Sequence, residues 1–422
     1  LMSGYTWGNS IGNGIDLTYS LISSYSKLSS GYKDTGSIQN PSSIFQSTVT
    51  EILNLYSSVS LLSFSEVSET GDTTGHIRIG TSTGPPTEAY AWYPYPNFYA
   101  SGDIWLKSET DNYNKSPKLV DGTYWNAAIV HEIGHSLGLA HPHEAETING
   151  KTYGTNGSSG EVHSSLPYSV MSYAEYVGET IGSSSNNYSK PTTLMIDDIA
   201  ALQYLYGINE QYNAGDNLYT LGSFSKDSLD YVYASIWDAG GNDTFSWADQ
   251  STIGAIDLNP GSFSCFGNIS SVKDTDLASN TWSAGDGLLG IAYNANIENA
   301  IGGSASDTIA GNSSANTLYG GAGAGVKDTL TGNGGADIFV CSLSDASTDL
   351  SVADIISDFT DGSDKIGLED RTFSNLAISN GTGSYSDDTQ IVDSSSGKVL
   401  FLLEGIHAGL IDDNDFVVTD FV

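Results

Sequence analysis

Apolar residues recur at helical spacing in three stretches of the first half of the chain. After NPSS, Ile44, Phe45, Val49, Ile52, Leu53 and Tyr56 share one helical face, with Asn40 and Ser42 as capping candidates and Pro41 suited to a first turn. The segment DGTYWNAAIVHEIGHSLG predicts a second helix, capped by Asp121 or Thr123 and stopped at Gly138, which can take a left-handed backbone. TTLMIDDIAALQYLYG predicts a third, stopped the same way at Gly207. Between the first two, LLSFSEV, HIRIGTS and AYAWYPYP read as strands, and the prolines of the last mark a rim or an edge.

Beyond residue 210 the pattern changes to short β-rich stretches punctuated by Gly, Asn, Asp and Ser. A boundary between Gln211 and Asn217 follows, giving two domains, 1–212 and 213–422, as expected for a chain too long for one core. Four repeats begin at Gly302, Gly311, Gly320 and Gly332: GGSASDTIA, GNSSANTLY, GGAGAGVKDTLT and GNGGADIFV. Three are nine residues long and the third carries three more. A glycine-rich turn, an acidic position and a following apolar residue (Ile309, Leu318, Leu330, Phe339) predict a parallel β-roll whose stacked turns share a core and calcium ions. The expected ligands are the side chains of Asp307, Asp328 and Asp337, with Asn316 in the acidic position of the second repeat. Turn groups of Gly303, Ala305, Asn312, Ser314, Gly321, Asn333 and Gly335 complete the set. A plain Gly/Ser linker would lack the apolar residue in each unit. The fold class is thus an α+β domain followed by an all-β domain, a parallel β-roll with a β-sandwich.

Charge narrows the partners. Fifty Asp and Glu against 14 Lys and Arg give a formal net charge of -36, which makes nucleic acid and anionic membranes poor partners and suits either a secreted protein or bound cations. No apolar run is long enough to cross a bilayer. The first residues, LMSGYTWGNS, have neither a basic nor an apolar signal region, which reads as a mature chain whose targeting segment was removed or never supplied. Cys265 and Cys341 match no metal spacing and are either buried thiols or one bridge.

The chemistry concentrates in HEIGHSLGLAHPHEAE, residues 131–146, which holds four of the seven histidines. His131 and His135 stand four residues apart and project from one helical face, so one Zn2+ can accept both imidazoles at roughly 2.1 Å. Gly138 can turn the chain back so that His141 closes a three-nitrogen site with an open fourth position, a catalytic design. Glu132 adjoins the site without being needed as a ligand; it can take a proton from the attacking water and pass it to a leaving amine. His143 has no slot in this pattern and is expected as a solvent-exposed loop residue. His76, His163 and His407 are expected to be satisfied core or surface residues. SVMSY supplies Met171 for a methionine turn below the metal, and the stretch from Glu144 to Val170 reads as a long loop beside the site.

HEIGHSLGLAHP, SVMSYAEY, DDIAALQYLYG, WDAGGNDTF, IENAIGG and the glycine repeats occur in the order in which they occur in the serralysins. Over almost the whole chain the sequence resembles this family of secreted bacterial metzincin zinc proteases with a C-terminal calcium β-roll. The resemblance implies an α+β metzincin catalytic domain and an extracellular zinc endopeptidase of broad specificity, made with a propeptide and exported by a type I secretion system. It further implies that Tyr173 is an additional zinc ligand in the free enzyme that swings away to stabilise the oxyanion. Substrates would lie along the edge strand around Ala89, Tyr90, Ala91 and Trp92. Calcium ligands so implied are Asp238, Gly240, Gly241, Asp243, Glu298, Asp345 and Asp354. The implied partners are protein and peptide substrates, an inhibitor protein and the secretion system, for a chain acting as a monomer. The chain departs from the family in a roll about one turn shorter, in Asn316 for Asp, in the insertion GVK before Asp328, and in TLGSFSKD, where no arginine-containing loop is recognisable.

Two other readings compete. Glycine–aspartate tails also occur on serine lipases, and G-x-S-x-G occurs at Ser10 and Ser82, though neither sits between a strand and a helix. A calcium-dependent adhesion protein with a disabled protease fold is the non-enzymatic alternative; the intact ligands, base and methionine turn argue against it.

Overall fold

A computed structural model describes residues 1–421 except 9, 24–35, 71–72, 85–86, 109–118, 120–121, 145, 149–150, 154–161, 175–189, 225–232, 267–286, 324 and 370. The chain forms two compact units, one of residues 1–212 with 225–237, the other of 213–224 with 238–422.

The first unit is a sheet with helices. Its strands are β1 (Ile15–Leu21), β2 (Ile38–Gln39), β3 (Leu62–Glu66), β4 (Ile77–Ser82), β5 (Ala89–Ala91) and β6 (Ile104–Lys107), and α1 (Ser43–Val59) falls between β2 and β3. The main path is β3-β1-β4-β6-β5, parallel except for β5, which lies antiparallel to β6 at the edge; β2 pairs with β4. Ser42 caps α1 by accepting the Phe45 amide, which leaves Pro41 outside the helix rather than in its first turn. The predicted apolar face of α1 is buried, except that Ile44 is exposed. α2 (Tyr124–Ser136) is capped by Thr123, which accepts the Asn126 amide; Asp121, the other candidate, lies outside the described residues. The stretch from Glu144 to Val170, expected as one loop, contains the hairpin of β7 (Glu146–Ile148) and β8 (Lys151–Tyr153), two β-prone runs paired antiparallel. α3 (Ile196–Tyr206) ends at Gly207, whose φ is +81°.

After α3 come β9 (Leu218–Thr220) of the second unit, β10 (Tyr233–Ile236) of the first, then β11 (Thr244–Ser246), β12 (Gly254–Asp257), β13 (Phe263–Phe266) and β14 (Gly287–Ile291). From Asn299 to Leu368 successive short strands alternate between two sheets. β15 (Asn299–Ile301), β17 (Thr317–Tyr319), β19 (Ile338–Cys341), β21 (Lys365–Leu368) and β25 (Phe416–Val418) continue β9 and β11 in one all-parallel sheet. β16 (Thr308–Ala310), β18 (Thr329–Thr331), β20 (Ile355–Ile356) and β24 (Val399–Leu403) stack parallel on β12 in the other, which the antiparallel β22 (Leu376–Asn380) and β23 (Thr389–Asp393) extend. The result is a mostly β unit with parallel sheets. Ile309, Leu318, Leu330 and Phe339, the apolar residue of each repeat, are fully buried. The turns stack so closely that a Cβ on Gly302 would lie 1.9 Å from the Gly320 carbonyl oxygen and one on Gly321, at φ +108°, 2.0 Å from that of Gly303. Cys265 and Cys341 are buried free thiols. Among the described residues, no helix is long and apolar enough to cross a membrane.

Candidate active site

Helix α2 carries His131, Glu132 and His135 on buried positions, and the turn after it carries His141. The helix ends in a Schellman turn: Gly138, at φ +95°, donates to the His135 carbonyl at 2.9 Å and Leu139 to that of Gly134 at 2.9 Å. That reversal places His141 Nε2 3.0 Å from His131 Nε2 and 3.0 Å from His135 Nε2. Each helical imidazole is oriented from behind. His131 Nδ1 donates to the Val170 carbonyl at 2.9 Å and His135 Nδ1 to that of Leu139 at 2.8 Å. With Nδ1 protonated, the Nε2 lone pairs point to one place. Burial holds the His131 imidazole at a pKa of about 4 and that of His141 at about 3, so both are neutral acceptors.

Nitrogen lone pairs 3.0 Å apart repel one another unless a cation lies between them, and nitrogens each roughly 2.1 Å from one tetrahedral ion stand about 3.4 Å apart. The donors therefore fit Zn2+. Glu132 is 7% exposed, and its Oε2 has no hydrogen-bond partner among the described residues. Burial lifts its carboxyl to about 8.

Beneath the histidines, Met171 is fully buried, and a Cβ on Gly134 would lie 2.6 Å from its Sδ. Helix α3 holds this turn through the fully buried Asp198, which accepts Ser169 Oγ at 2.7 Å, the Val170 amide at 2.8 Å and the Met195 amide at 3.0 Å. A hydrogen-bond chain thus runs from Asp198 through the backbone of Val170 to His131. Burial raises the Asp198 carboxyl to about 7 despite these donors. Asp198→Ala is expected to destabilise the first unit by about 3 kcal/mol or more, because three donors lose a charged acceptor. An unchanged thermal midpoint would contradict this.

Tyr173 is half exposed, its ring stacked on His131 (5.5 Å between centroids) and tilted against His141 (4.5 Å). Burial, with the Glu132 charge second, raises its hydroxyl to about 12, so it remains a proton donor at neutral pH. His143 is not the solvent-exposed residue expected: it is 7% exposed, stacked on His141 at 5.0 Å and 17°, and leans on Tyr173 at 4.9 Å. A turn in which the Glu144 amide donates to the His141 carbonyl at 3.3 Å folds it onto that ring, and Glu144 Oε2 lies 3.0 Å from His141 Nδ1. The remaining histidines are satisfied elsewhere: His76 accepts the Thr18 amide, His163 pairs with Asp197, and His407 caps a short 3-10 turn. Ser82 is buried and paired on both sides, by Ile38 and Lys107, so it forms no nucleophile elbow.

Strand β5 holds Ala89, Tyr90 and Ala91 at the sheet edge, with Trp92 partly exposed just after it; Tyr93 then packs on His135 at 5.5 Å. These residues border the histidine cluster.

In the second unit the carboxylates form ladders along the stacked turns. Asp328 accepts the Asp307 amide at 2.7 Å and Asp354 that of Asp328 at 2.8 Å; Asp337 accepts the Asn316 amide at 2.8 Å. Asp307 itself takes the Gly254 and Gly303 amides. Asp243 accepts the Asn217 amide and Glu298 that of Asp243, while Asp238 accepts Tyr219 Oη and the amide of Gly240, which with Gly241 has a positive φ. Asp345 accepts Tyr319 Oη. Gly335 and Asn333 take positive φ in the last repeat, Asn312 Oδ1 accepts the Ser314 amide, and Ala305 is half-buried in the first turn. Asn316 differs from the aspartates. Its Nδ2 donates to the Glu298 carbonyl at 2.9 Å and to Asn312 Oδ1 at 3.1 Å, facing oxygens that a cation would otherwise meet. Among the described residues, no three carboxylates of this unit converge as the imidazoles do.

Sequence reasoning missed Asp198 and the burial of His143 and Glu144's approach to His141. The acidic pair Asp197–Asp198 in the first turn of α3 reads as helix-dipole complementation, which hides the inward role of the second.

A family model described as peptidase M10 serralysin C terminal matches residues 198–400, and one described as matrixin matches residues 32–165. Serralysin C of Dickeya chrysanthemi is 37% identical over 318 residues, 71% of this chain and 60% of that protein. Serralysin B of the same organism is 36% identical over 325 residues, 72% and 60% of the two chains. Metallopeptidase AprA of Pseudomonas marginalis is 33% identical over 397 residues, 87% of this chain and 76% of that protein. The chain spans about 60% of the length of the two Dickeya relatives. With AprA matched over three quarters of its length and both family models in sequence along the chain, this protein belongs to the serralysin family of M10 peptidases.

Proposed function

We propose that the chain is a secreted zinc endopeptidase that hydrolyses peptide bonds in proteins with broad specificity. One observation carries this reading: three imidazole nitrogens converge, His141 Nε2 lying 3.0 Å from those of His131 and His135, beside a buried glutamate oxygen with no hydrogen-bond partner among the described residues. His131, His135 and His141 hold the ion. When bound, Zn2+ supplies a Lewis acid that acidifies water and polarises the scissile carbonyl. Glu132 takes the proton of the attacking water and returns it to the leaving amine. Tyr173, protonated at neutral pH, donates to the developing oxyanion. Ala89, Tyr90, Ala91 and Trp92 bind the substrate as an added strand, since β5 is a sheet edge.

The unit of residues 1–212 with 225–237 and the unit of 213–224 with 238–422 divide the labour, catalysis in the first and a calcium β-roll in the second. The alternation of strands between two parallel sheets at a nine-residue repeat supports the roll. Its Ca2+ ions are held by Asp307, Asp328, Asp337, Asp345 and Asp354 with turn carbonyls, and by Asp238, Asp243 and Glu298. Asn312 and Asn316 are left out of that set, because their amides already satisfy the nearby oxygens. Type I export, an inhibitor protein and a monomeric state are carried from the family resemblance.

Loss of casein hydrolysis on treatment with phenanthroline, and its return with added Zn2+, is the expected result. Hydrolysis that survives removal of the metal would overturn the reading.

A further inference from the structure

The turn between His135 and His141 leaves carbonyls that the helix cannot satisfy, because the last turn of any helix has no intrahelical donors for them. In this chain residues from far away in sequence supply the donors. Trp7 Nε1 donates to the Ser136 carbonyl at 2.8 Å. Tyr206 Oη donates to that of Leu137 at 2.7 Å and in turn accepts the Trp7 amide at 3.3 Å. The Ser3 amide donates to Gly138 at 2.9 Å, and the Ala140 amide, one residue before His141, donates to the Leu1 carbonyl at 2.8 Å. Met2 and Leu139 form an antiparallel bridge between these two contacts.

The fit is close. A Cβ on Gly138 would lie 2.2 Å from the Tyr5 carbonyl oxygen, and one on Gly102 would lie 2.5 Å from the Trp7 ring, which also meets His76 edge-on at 5.9 Å. Tyr206 is fully buried at the end of α3. The backbone from Ser136 to Ala140 is therefore pinned from outside at four consecutive peptide groups or their neighbours. His141 hangs from the end of that stretch, whereas His131 and His135 are fixed by the helix itself and by their Nδ1 bonds.

We propose that residues 1–7 and Tyr206 form a clip on the α2 turn that sets His141 at metal-binding distance, which makes Trp7 and Tyr206 positioning residues. The inference rests on the zinc reading above. Loosening the clip leaves His131 in place, frees His141 and loosens the Leu139 carbonyl that orients His135, so the cost falls on zinc affinity. Partners that orient metal ligands from outside the coordination shell are commonly worth about 10- to 100-fold in affinity.

The test measures the Zn2+ dissociation constant by chelator competition, with thermal midpoints of metal-free and zinc-loaded protein, for the whole chain in calcium. The conservative variants are Trp7→Phe and Tyr206→Phe, which remove one donor each and keep an aromatic ring; Leu17→Ala, in the buried face of β1, is the control for general loss of stability. We expect one zinc per wild-type chain, about tenfold weaker binding in each clip variant, and wild-type affinity in Leu17→Ala. Clip variants with wild-type affinity, or a control that weakens zinc equally, overturn the inference while leaving the peptidase reading intact. A wild-type chain that binds no zinc overturns both.

Discussion

Glu132→Gln is expected to retain one zinc per chain and to lose most of its peptidase activity, kcat/KM falling by about 10²- to 10⁴-fold, the range for removing a positioned general base. The reason lies in where the carboxylate stands. It follows the first ligand on α2, is buried, and has no hydrogen-bond partner for Oε2 among the described residues, so its removal disturbs no structural network. Glutamine keeps the shape and removes the basic oxygen. The loss should therefore appear in kcat with the thermal midpoint of the zinc-loaded chain unchanged. A variant hydrolysing casein within threefold of the wild type would exclude Glu132 as the base.

The second large effect is expected from calcium removal. In the calcium-free unit burial raises the carboxyls of Asp307 and Asp337 to about 6, Asp354 to about 7 and Asp328 to about 8. These folded-state values lie above the unfolded one, so the folded state binds protons more tightly. The stability they contribute is fully present below about pH 4 and is lost as pH rises through 6 to 8. The EGTA-treated second unit should thus melt at a higher temperature at pH 5 than at pH 8. Calcium reverses the trend, since each bound ion at a hundredfold excess over its Kd adds about 2.7 kcal/mol, and two ions shift the midpoint by roughly 10–20 °C. The increment should be larger at pH 8, where protons compete less. Differential scanning calorimetry with and without EGTA at both pH values checks both signs; a midpoint indifferent to calcium would remove the calcium reading of the repeats.

Much of this was legible because the information is local. His131 and His135 share a helical face by their spacing alone, and Gly138 marks the reversal that brings His141 to them, since only a positive φ makes that turn. The repeats declare their period and their buried apolar residue. What stayed hidden depends on partners distant in sequence: Trp7 lies 129 residues from the carbonyl it bonds, and Asp198 lies 28 from the Val170 amide. His143 was misread for a related reason. A polar residue after Pro142 looks solvated until the turn that folds it onto His141 is seen. Asn316 shows the reverse case, a substitution visible in the sequence whose consequence, an amide bridging Glu298 and Asn312, appears only when the coils are stacked.

On the reading proposed above, one zinc ion held by three histidines serves peptide hydrolysis. Stripping the calcium-loaded chain of zinc and titrating Zn2+ back while following casein hydrolysis tests it most directly. The rate should rise linearly and level off at one equivalent per chain; a rate independent of zinc, or none with one equivalent bound, would contradict the account.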